Sequence, residues 1–63
     1  MPIKNETIQG REVRLVWRSV DGMIVFTATD RQTGISAKRC GKNQAIEALF
    51  RNLERAGTNG NKV

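Results

Sequence analysis

The sequence predicts an α+β fold in which a three-stranded antiparallel sheet packs in two layers against one C-terminal helix. Three observations support this β-β-β-α order. Apolar and polar residues alternate along a first segment, an Asp-Gly pair joins it to a second, and apolar residues at helical spacing follow near the C-terminus. Because neither a sheet nor a helix can bury its apolar side alone, the two layers must face each other.

The first two predicted strands form a hairpin. Residues alternate from Glu12 to Ser19, and the segment from Met23 to Thr29 is rich in β-branched residues. Between them, Asp21-Gly22 favours a two-residue turn with positive φ at both positions. Such a turn pairs Trp17 with Phe26, and this places both on the side that faces the helix. The same register predicts three further pairs: Val20 with Met23, Arg18 with Val25, and Leu15 with Ala28.

The third strand and the helix complete the predicted domain. A turn over Asp30–Gly34 leads into a strand from Ile35 to Cys40. Asn43 is the expected N-cap of the helix, Glu47 lies near its first turn, and Gly57 is placed to end it. The apolar residues of one helical face, spaced i, i+3, i+4 and i+7, are Ile46, Leu49, Phe50 and Leu53.

The chain has 63 residues, so we expect one domain. Residues 1–10 show no sustained period and are predicted to form an irregular N-terminal arm. Residues 11–57 form the β-β-β-α domain. Residues 58–63 are predicted to be a disordered tail, because their side chains bury little surface.

The composition indicates a polyanionic partner. The chain has eleven Lys and Arg residues and six Asp and Glu residues, which gives a net charge of +5. Such an excess is typical of nucleic-acid-binding proteins, although some membrane-surface and merely soluble proteins share it. No apolar run approaches the roughly 20 residues that cross a bilayer. With a polar N-terminus and a single thiol at Cys40, this predicts a cytoplasmic protein with no membrane partner.

Catalysis and cofactor binding are not expected. The chain has no histidine, no tyrosine and no paired carboxylates, and Cys40 has no base to activate it. One cysteine without histidine excludes an internal disulfide and a structural zinc site. Because domains of this size often need added support, the chain either has an efficient core or pairs with a ligand, a protein partner or a second copy.

The sheet face that lies away from the helix is the predicted binding surface. Cations there can reach phosphates, and short side chains allow the backbone to approach base edges. The three aromatic residues are assigned to the core, which disfavours stacked single strands and leaves duplex DNA ahead of duplex RNA. The competing interpretation is an ordinary solvated outer face. The predicted contact residues are Arg14, Arg18, Thr27 and Lys38 on the face, Arg31 in the turn, and Arg39 and Lys42 at its flank.

Three features are also shared with a known family. They are the hairpin VWRSVDGMIVF, an Asp-x-x-Thr-Gly turn at Asp30, Thr33 and Gly34, and the helix GKNQAIEALFRNLE. In these features the chain resembles the arm-type-site, AP2/ERF-like N-terminal DNA-binding domain of phage and transposon tyrosine integrases. The resemblance implies a three-stranded sheet in the major groove, with contacts from Arg14, Arg18, Thr27, Arg31 and Lys38. Since the chain shows no catalytic integrase domain and lacks the family's strongly basic lead-in, we expect a free-standing regulator from a phage or mobile element, or an excised domain.

Two other interpretations fit the same element order. A double-stranded-RNA-binding fold without its first helix would use the basic segment around Lys38, Arg39 and Lys42. A HicB-like antitoxin or small phage inhibitor would instead bind a protein partner. The positive net charge favours the nucleic-acid interpretations, and the protein partner stays open.

Overall fold

The computed structural model describes residues 2–56, which form four strands followed by one helix. The predicted α+β class, an antiparallel sheet packed against one helix, is confirmed. The predicted tail and Gly57 lie outside the described residues. Within residues 2–56, no helix is long and apolar enough to cross a membrane. The elements are β1 (Ile3–Ile8), β2 (Arg11–Val20), β3 (Met23–Asp30), β4 (Ser36–Arg39) and α1 (Lys42–Arg55), with the strands adjacent in chain order.

The prediction of three strands preceded by an irregular arm over residues 1–10 is wrong, because Ile3–Ile8 form the edge strand β1. This strand pairs with β2 over its whole length, from Ile3 opposite Val16 to Ile8 opposite Arg11. Its sequence, Ile-Lys-Asn-Glu-Thr-Ile, has no apolar alternation, because Ile3 is exposed on one face and Ile8 alone packs against the core on the other. The signal that usually identifies a strand is therefore absent here.

The β1–β2 turn consists of Gln9 and Gly10, with φ angles of 51° and 79°. Two-residue turns with positive φ at both positions favour Asn-Gly, and glutamine is a poor residue for the left-handed region. We expect Gln9→Asn to relieve a fraction of the roughly 1–3 kcal/mol strain of such a residue, raising the free energy of unfolding by about 0.5 kcal/mol. The urea midpoint measures this gain.

Asp21→Asn in the other hairpin is the matched control, because Asp21 already provides a residue that this turn type favours. We expect its midpoint to stay close to that of the unmodified protein. Equal midpoints for Gln9→Asn and Asp21→Asn would show that the Gln9 conformation stores no strain.

The predicted β2–β3 hairpin and its register are confirmed. Asp21 and Gly22 have φ angles of 53° and 78°, as a two-residue turn of this type requires. Trp17 lies opposite Phe26, and the rings pack with their centroids 5.8 Å apart. The other three predicted pairs are also present: Val20 with Met23, Arg18 with Val25, and Leu15 with Ala28.

The core lies between the sheet and α1, which packs against β3 and β4. Val13, Leu15 and Leu49 are its largest fully buried apolar side chains. Alanines on α1 and β4 complete it, and their small side chains permit the helix to approach the sheet closely. The core residues are Val13, Leu15, Ala28, Ala37, Ala45, Ala48, Leu49 and Leu53.

Some residues predicted for the core lie at its margin. Ile46 and Phe50 are half-buried, because α1 turns Ala45 and Ala48 toward the sheet in their place. Trp17 and Phe26 are also half-buried. Ile24 lies on the same side of the sheet as Trp17 and Phe26 but is 47% exposed, since it lies beyond the ends of β1 and β4.

The start of α1 differs from the prediction. The helix begins at Lys42 with Gly41 as N-cap, so the assignment of Asn43 as N-cap is wrong. No side chain caps the first turn, and that turn contains no acid, because Glu47 lies in the second. A lysine is unfavourable at the positive end of a helix dipole, but the Lys42 ammonium lies 3.0 Å from Glu6 on β1. This ion pair with another element offsets the unfavourable charge of Lys42, while the backbone N–H groups of the first turn have no side-chain cap.

The turn predicted over Asp30–Gly34 forms around a buried carboxylate. Asp30 has no exposed surface, and its Oδ2 accepts hydrogen bonds from the Thr33 backbone N–H at 3.2 Å and hydroxyl at 2.8 Å. Arg11 Nη1 lies 3.2 Å from the same oxygen. The Gly34 N–H donates to the Asp30 carbonyl at 2.8 Å, with φ of 82° at Gly34. These contacts explain why aspartate, threonine and glycine occur at this spacing.

Candidate nucleic-acid interface

One face of the sheet lies away from α1 and is accessible over most of its area. Alternation along each strand and the observed register assign its members. We call this surface the open face. Its residues are Ile3, Asn5 and Thr7 on β1, Glu12, Arg14, Val16, Arg18 and Val20 on β2, Met23, Val25, Thr27 and Thr29 on β3, and Ser36 and Lys38 on β4.

Three cations surround a small central region of the open face. Lys38 lies in the same cross-strand row as Thr27 and Val16, and Val16 is midway between Arg14 and Arg18 on β2. From strand geometry, the two arginines are about 14 Å apart and Lys38 is about 12 Å from each. These backbone spacings are close to the roughly 12 Å width of the B-DNA major groove. The three side chains can therefore reach phosphates on opposite sides of a groove.

The charges of this triangle are not neutralised within the protein. Arg14, Arg18 and Lys38 are exposed, and their side chains form no ion pair or hydrogen bond with any residue from 2 to 56. The acid on this face, Glu12, lies at the margin and contacts Arg31 at 3.6 Å. A positive potential is therefore expected at the centre of the face.

The structure brings Arg14, Arg18, Thr27 and Lys38 together and places Arg31 at their margin, but Arg39 lies elsewhere. Arg39 is opposite Phe26, and this register directs its side chain to the helix side of the sheet. There it lines a cleft with Glu47, Arg51 and Arg55, and its Nη1 donates to the Lys38 carbonyl at 2.6 Å. This helix-side cluster is basic but contains an acid.

Lys42 is also directed away from the open face. Its ammonium lies 3.0 Å from the Glu6 carboxylate, and Lys4 lies 3.3 Å from the same oxygen. Hydrogen bonds from Lys42 and then Lys4 lower the pKa of Glu6 from its ordinary value. Glu6 therefore remains ionised to lower pH than an isolated glutamate, and Lys42 has an acidic partner that the predicted interface would have to displace.

Sequence reasoning missed an apolar extension of this surface. From Arg18 to Val25, β2 and β3 continue as a two-stranded ribbon, because β1 and β4 pair no further than Trp17 and Phe26. Val20 is 40% exposed and Met23 is 55% exposed, both on the open face. We call residues 20–24 the hairpin tip. The sequence signal that could have predicted this surface is the pair of apolar residues, Val20 and Met23, on either side of Asp21-Gly22.

The open face offers binding chemistry. Guanidinium and ammonium groups donate charge-assisted hydrogen bonds to phosphate oxygens, and the hydroxyls of Thr27 and Thr29 add neutral donors and acceptors. Among residues 2–56, no three acidic or cysteine side chains are grouped so that they could hold a metal ion. Cys40 is exposed just beyond β4.

The chain was also compared with known proteins. No family model, no curated protein and no solved structure matches it. The similarity to the integrase arm-type domains consequently stays a prediction based on the hairpin, the turn and the helix.

Proposed function

We propose that this protein is a non-enzymatic nucleic-acid-binding protein that holds duplex DNA against the open face. The observation that carries this proposal is the triangle of Arg14, Arg18 and Lys38, three exposed cations on a sheet with no acidic side chain among them. A role as a regulator of a phage or mobile element in the cytoplasm is part of the proposal and derives from the sequence resemblance.

In this binding mode, the cations fix the position of the sheet on the phosphate backbone. Arginine can contact a phosphate with two parallel hydrogen bonds, whereas Lys38 acts as a point charge. Thr27 and Val16, between them, have short side chains that allow the backbone to approach the groove and contact base edges or a thymine methyl group. Phosphate contacts supply most of the affinity, so the protein binds many sequences with similar strength.

Two features favour duplex DNA over other nucleic acids. The open face carries no aromatic residue, and Trp17 and Phe26 lie half-buried on the helix side. Single-strand binders depend on exposed aromatic platforms, so this mode is disfavoured. The major groove of A-form RNA is deep and narrow and excludes a sheet, while that of B-DNA admits a β-ribbon.

The proposal is tested by fluorescence anisotropy with a labelled random-sequence DNA duplex at low salt, under reducing conditions that keep Cys40 from cross-linking. We expect saturable binding, with unlabelled DNA duplex competing better than RNA duplex and RNA duplex better than single-stranded DNA. Absence of binding at low salt would exclude both the DNA and the RNA interpretations.

A second candidate function, binding to a protein partner, is favoured by the hairpin tip. Val20, Met23 and Ile24 expose apolar surface on both faces of the ribbon, and Asp21 between them opposes insertion into a DNA groove. If this tip is the functional surface, Met23→Ser/Ile24→Ser loses a partner that remains bound at high salt. If the open face binds DNA as proposed, Ile24→Ser alone, on the opposite face of the ribbon, retains DNA binding.

A further inference from the structure

The two edges of the sheet differ in how their outward-facing backbone groups are satisfied. The Asp30 N–H donates to the Ile35 carbonyl at 2.8 Å, and this bond sets which residues of β4 are hydrogen-bonded to β3. The backbone N–H and C=O groups of Ser36 and Lys38 therefore face outward. Asn52 Nδ2 donates to the Ser36 carbonyl at 3.3 Å, and the arginine that follows Lys38 donates to the Lys38 carbonyl at 2.6 Å. Side chains thus close the carbonyl acceptors of the β4 edge.

The β1 edge has no such cover. The Trp17 N–H donates to the Pro2 carbonyl at 3.4 Å, so the even-numbered residues of this strand bond to β2. The N–H and C=O groups of Ile3, Asn5 and Thr7 therefore face outward. Among the residues that the structure describes, none of these groups has a partner, and all three residues are exposed. The edge presents alternating donors and acceptors over its full length.

We propose that β1 pairs in antiparallel fashion with β1 of a second copy of this chain, about a two-fold axis at Asn5, to form a continuous eight-stranded sheet. A two-fold axis perpendicular to the sheet pairs only residues on the same face. Asn5 can then lie opposite itself, or the register can shift by one position along each strand. The shifted registers place Lys4 opposite Lys4 or Glu6 opposite Glu6, and like charges in those positions are unfavourable.

The Asn5 register places opposite charges across the axis, in addition to the contact between Lys4 and Glu6 within each copy. Lys4 lies opposite Glu6 of the partner subunit, and Ile3 lies opposite Thr7 of the partner subunit. The residues with outward-facing groups then occupy all the hydrogen-bonded positions, giving about six backbone hydrogen bonds between the two copies. A protein partner could in principle use the same edge, but the charge order of β1 complements itself, and a second copy is the occupant that it fits.

This pairing does not rest on the proposed function, although it would extend the open face. Both open faces come to lie on the same side of the eight-stranded sheet. Arg14 shares a cross-strand row with Asn5, so the two copies of Arg14 are about 14 Å apart, three strand spacings across the axis. The dimer therefore presents twice the number of unpaired cations on one continuous surface.

Sedimentation equilibrium under reducing conditions, with protein up to about 1 mM to capture weak association, tests this inference. We expect the mass to rise to that of a dimer. Asn5→Pro removes the central outward N–H and keeps the bonds to β2, so it should weaken dimerisation at least about tenfold. Ser36→Pro removes an outward N–H from the closed β4 edge and is the matched control, expected to dimerise like the unmodified protein.

A charge exchange tests the register and does not depend on proline being tolerated. Lys4→Glu places two Glu–Glu pairs at the axis and Glu6→Lys places two Lys–Lys pairs, so each variant alone should dimerise about tenfold more weakly. Mixed together, they restore opposite charges in both pairs, and native mass spectrometry should show a heterodimer in excess over either homodimer. A monomer at every concentration, a statistical mixture of dimers, or dimerisation lost in Ser36→Pro but kept in Asn5→Pro would each overturn the inference.

Discussion

Asp30→Ala is expected to lower the free energy of unfolding by about 3 kcal/mol, because the buried carboxylate accepts three hydrogen bonds and a hydrogen bond to a charged group contributes roughly 1.5–3 kcal/mol. The change removes the acceptor for both Thr33 donors and the partner of Arg11. Domains of this size often have only roughly 3–5 kcal/mol in total, so most of the cooperative transition should be lost. Urea titration followed by Trp17 fluorescence and far-UV circular dichroism measures the effect.

Arg11→Met should destabilise at least as much. The Asp30 side chain is 0% exposed and that of Arg11 is 29% exposed, so water can solvate a lone arginine but not a lone aspartate at this site. Asp30 Oδ1 also has no partner among the described residues, and this makes the carboxylate still more dependent on the contacts to its other oxygen. Asp21→Asn in the exposed hairpin should change stability by no more than about 0.5 kcal/mol. If Asp30→Ala changed the free energy of unfolding as little as Asp21→Asn, the Asp30 carboxylate would have to be solvated, and its burial would be contradicted.

The double charge reversal Arg14→Glu/Lys38→Glu is expected to weaken duplex DNA binding at low salt by about 100-fold or more. Each cation contributes on the order of 1.5–3 kcal/mol where it forms charge-assisted hydrogen bonds to phosphate, and each glutamate adds repulsion. Both side chains are exposed and have no partner within residues 2–56, so the fold should be unaffected. Anisotropy titration gives the affinity, and circular dichroism confirms the fold.

Arg51→Glu/Arg55→Glu is the control for total charge. It changes the net charge by the same amount on the helix-side cluster, which the proposed interface does not use. With both variants also measured at about 0.1 M salt, a loss of only a few-fold is expected for this one, because long-range electrostatics is then screened beyond about 10 Å. An equal or greater loss in this variant would locate the contact surface on the helix side.

The sequence was sufficient to predict the β2–β3 hairpin, because two independent signals agree there. Asp21-Gly22 specifies the turn, and alternation from Glu12 to Ser19 specifies the faces, so one register satisfies both. The β1–β2 hairpin offered neither signal. Its turn begins with Gln9, and the two apolar residues of β1, Ile3 and Ile8, lie on opposite faces and give no alternation.

The helix was predictable from its spacing, but its contact surface and start were not. Apolar spacing selects Ile46 and Phe50, whereas close packing on β3 and β4 selects the smaller Ala45 and Ala48, whose hydrophobicity is a weaker sequence signal. Asn43 is a favourable N-cap by residue type, but the chain enters the helix through the extended Gly41.

The candidate site was predictable to the extent that it depends on strand parity. Arg14 and Arg18 lie on a strand whose register was predicted, Lys38 was assigned to the same face by alternation along its strand, and the structure brings the three together. Lys42 was misplaced because its partner, Glu6, belongs to the strand that the sequence did not reveal. Arg39 was misplaced because it directly follows Lys38 at the end of β4, so its side chain lies on the opposite face of the sheet.

The salt dependence of binding tests most directly whether the open face contacts phosphates. With Arg14, Arg18, Lys38 and Arg31 as contacts, the logarithm of the binding constant should fall with the logarithm of salt concentration with a slope of about −3 to −4. Lys38→Gln should reduce the magnitude of this slope by about 0.9, and Arg51→Gln should leave it unchanged. A slope near zero, or one altered by Arg51→Gln and not by Lys38→Gln, would contradict the proposal.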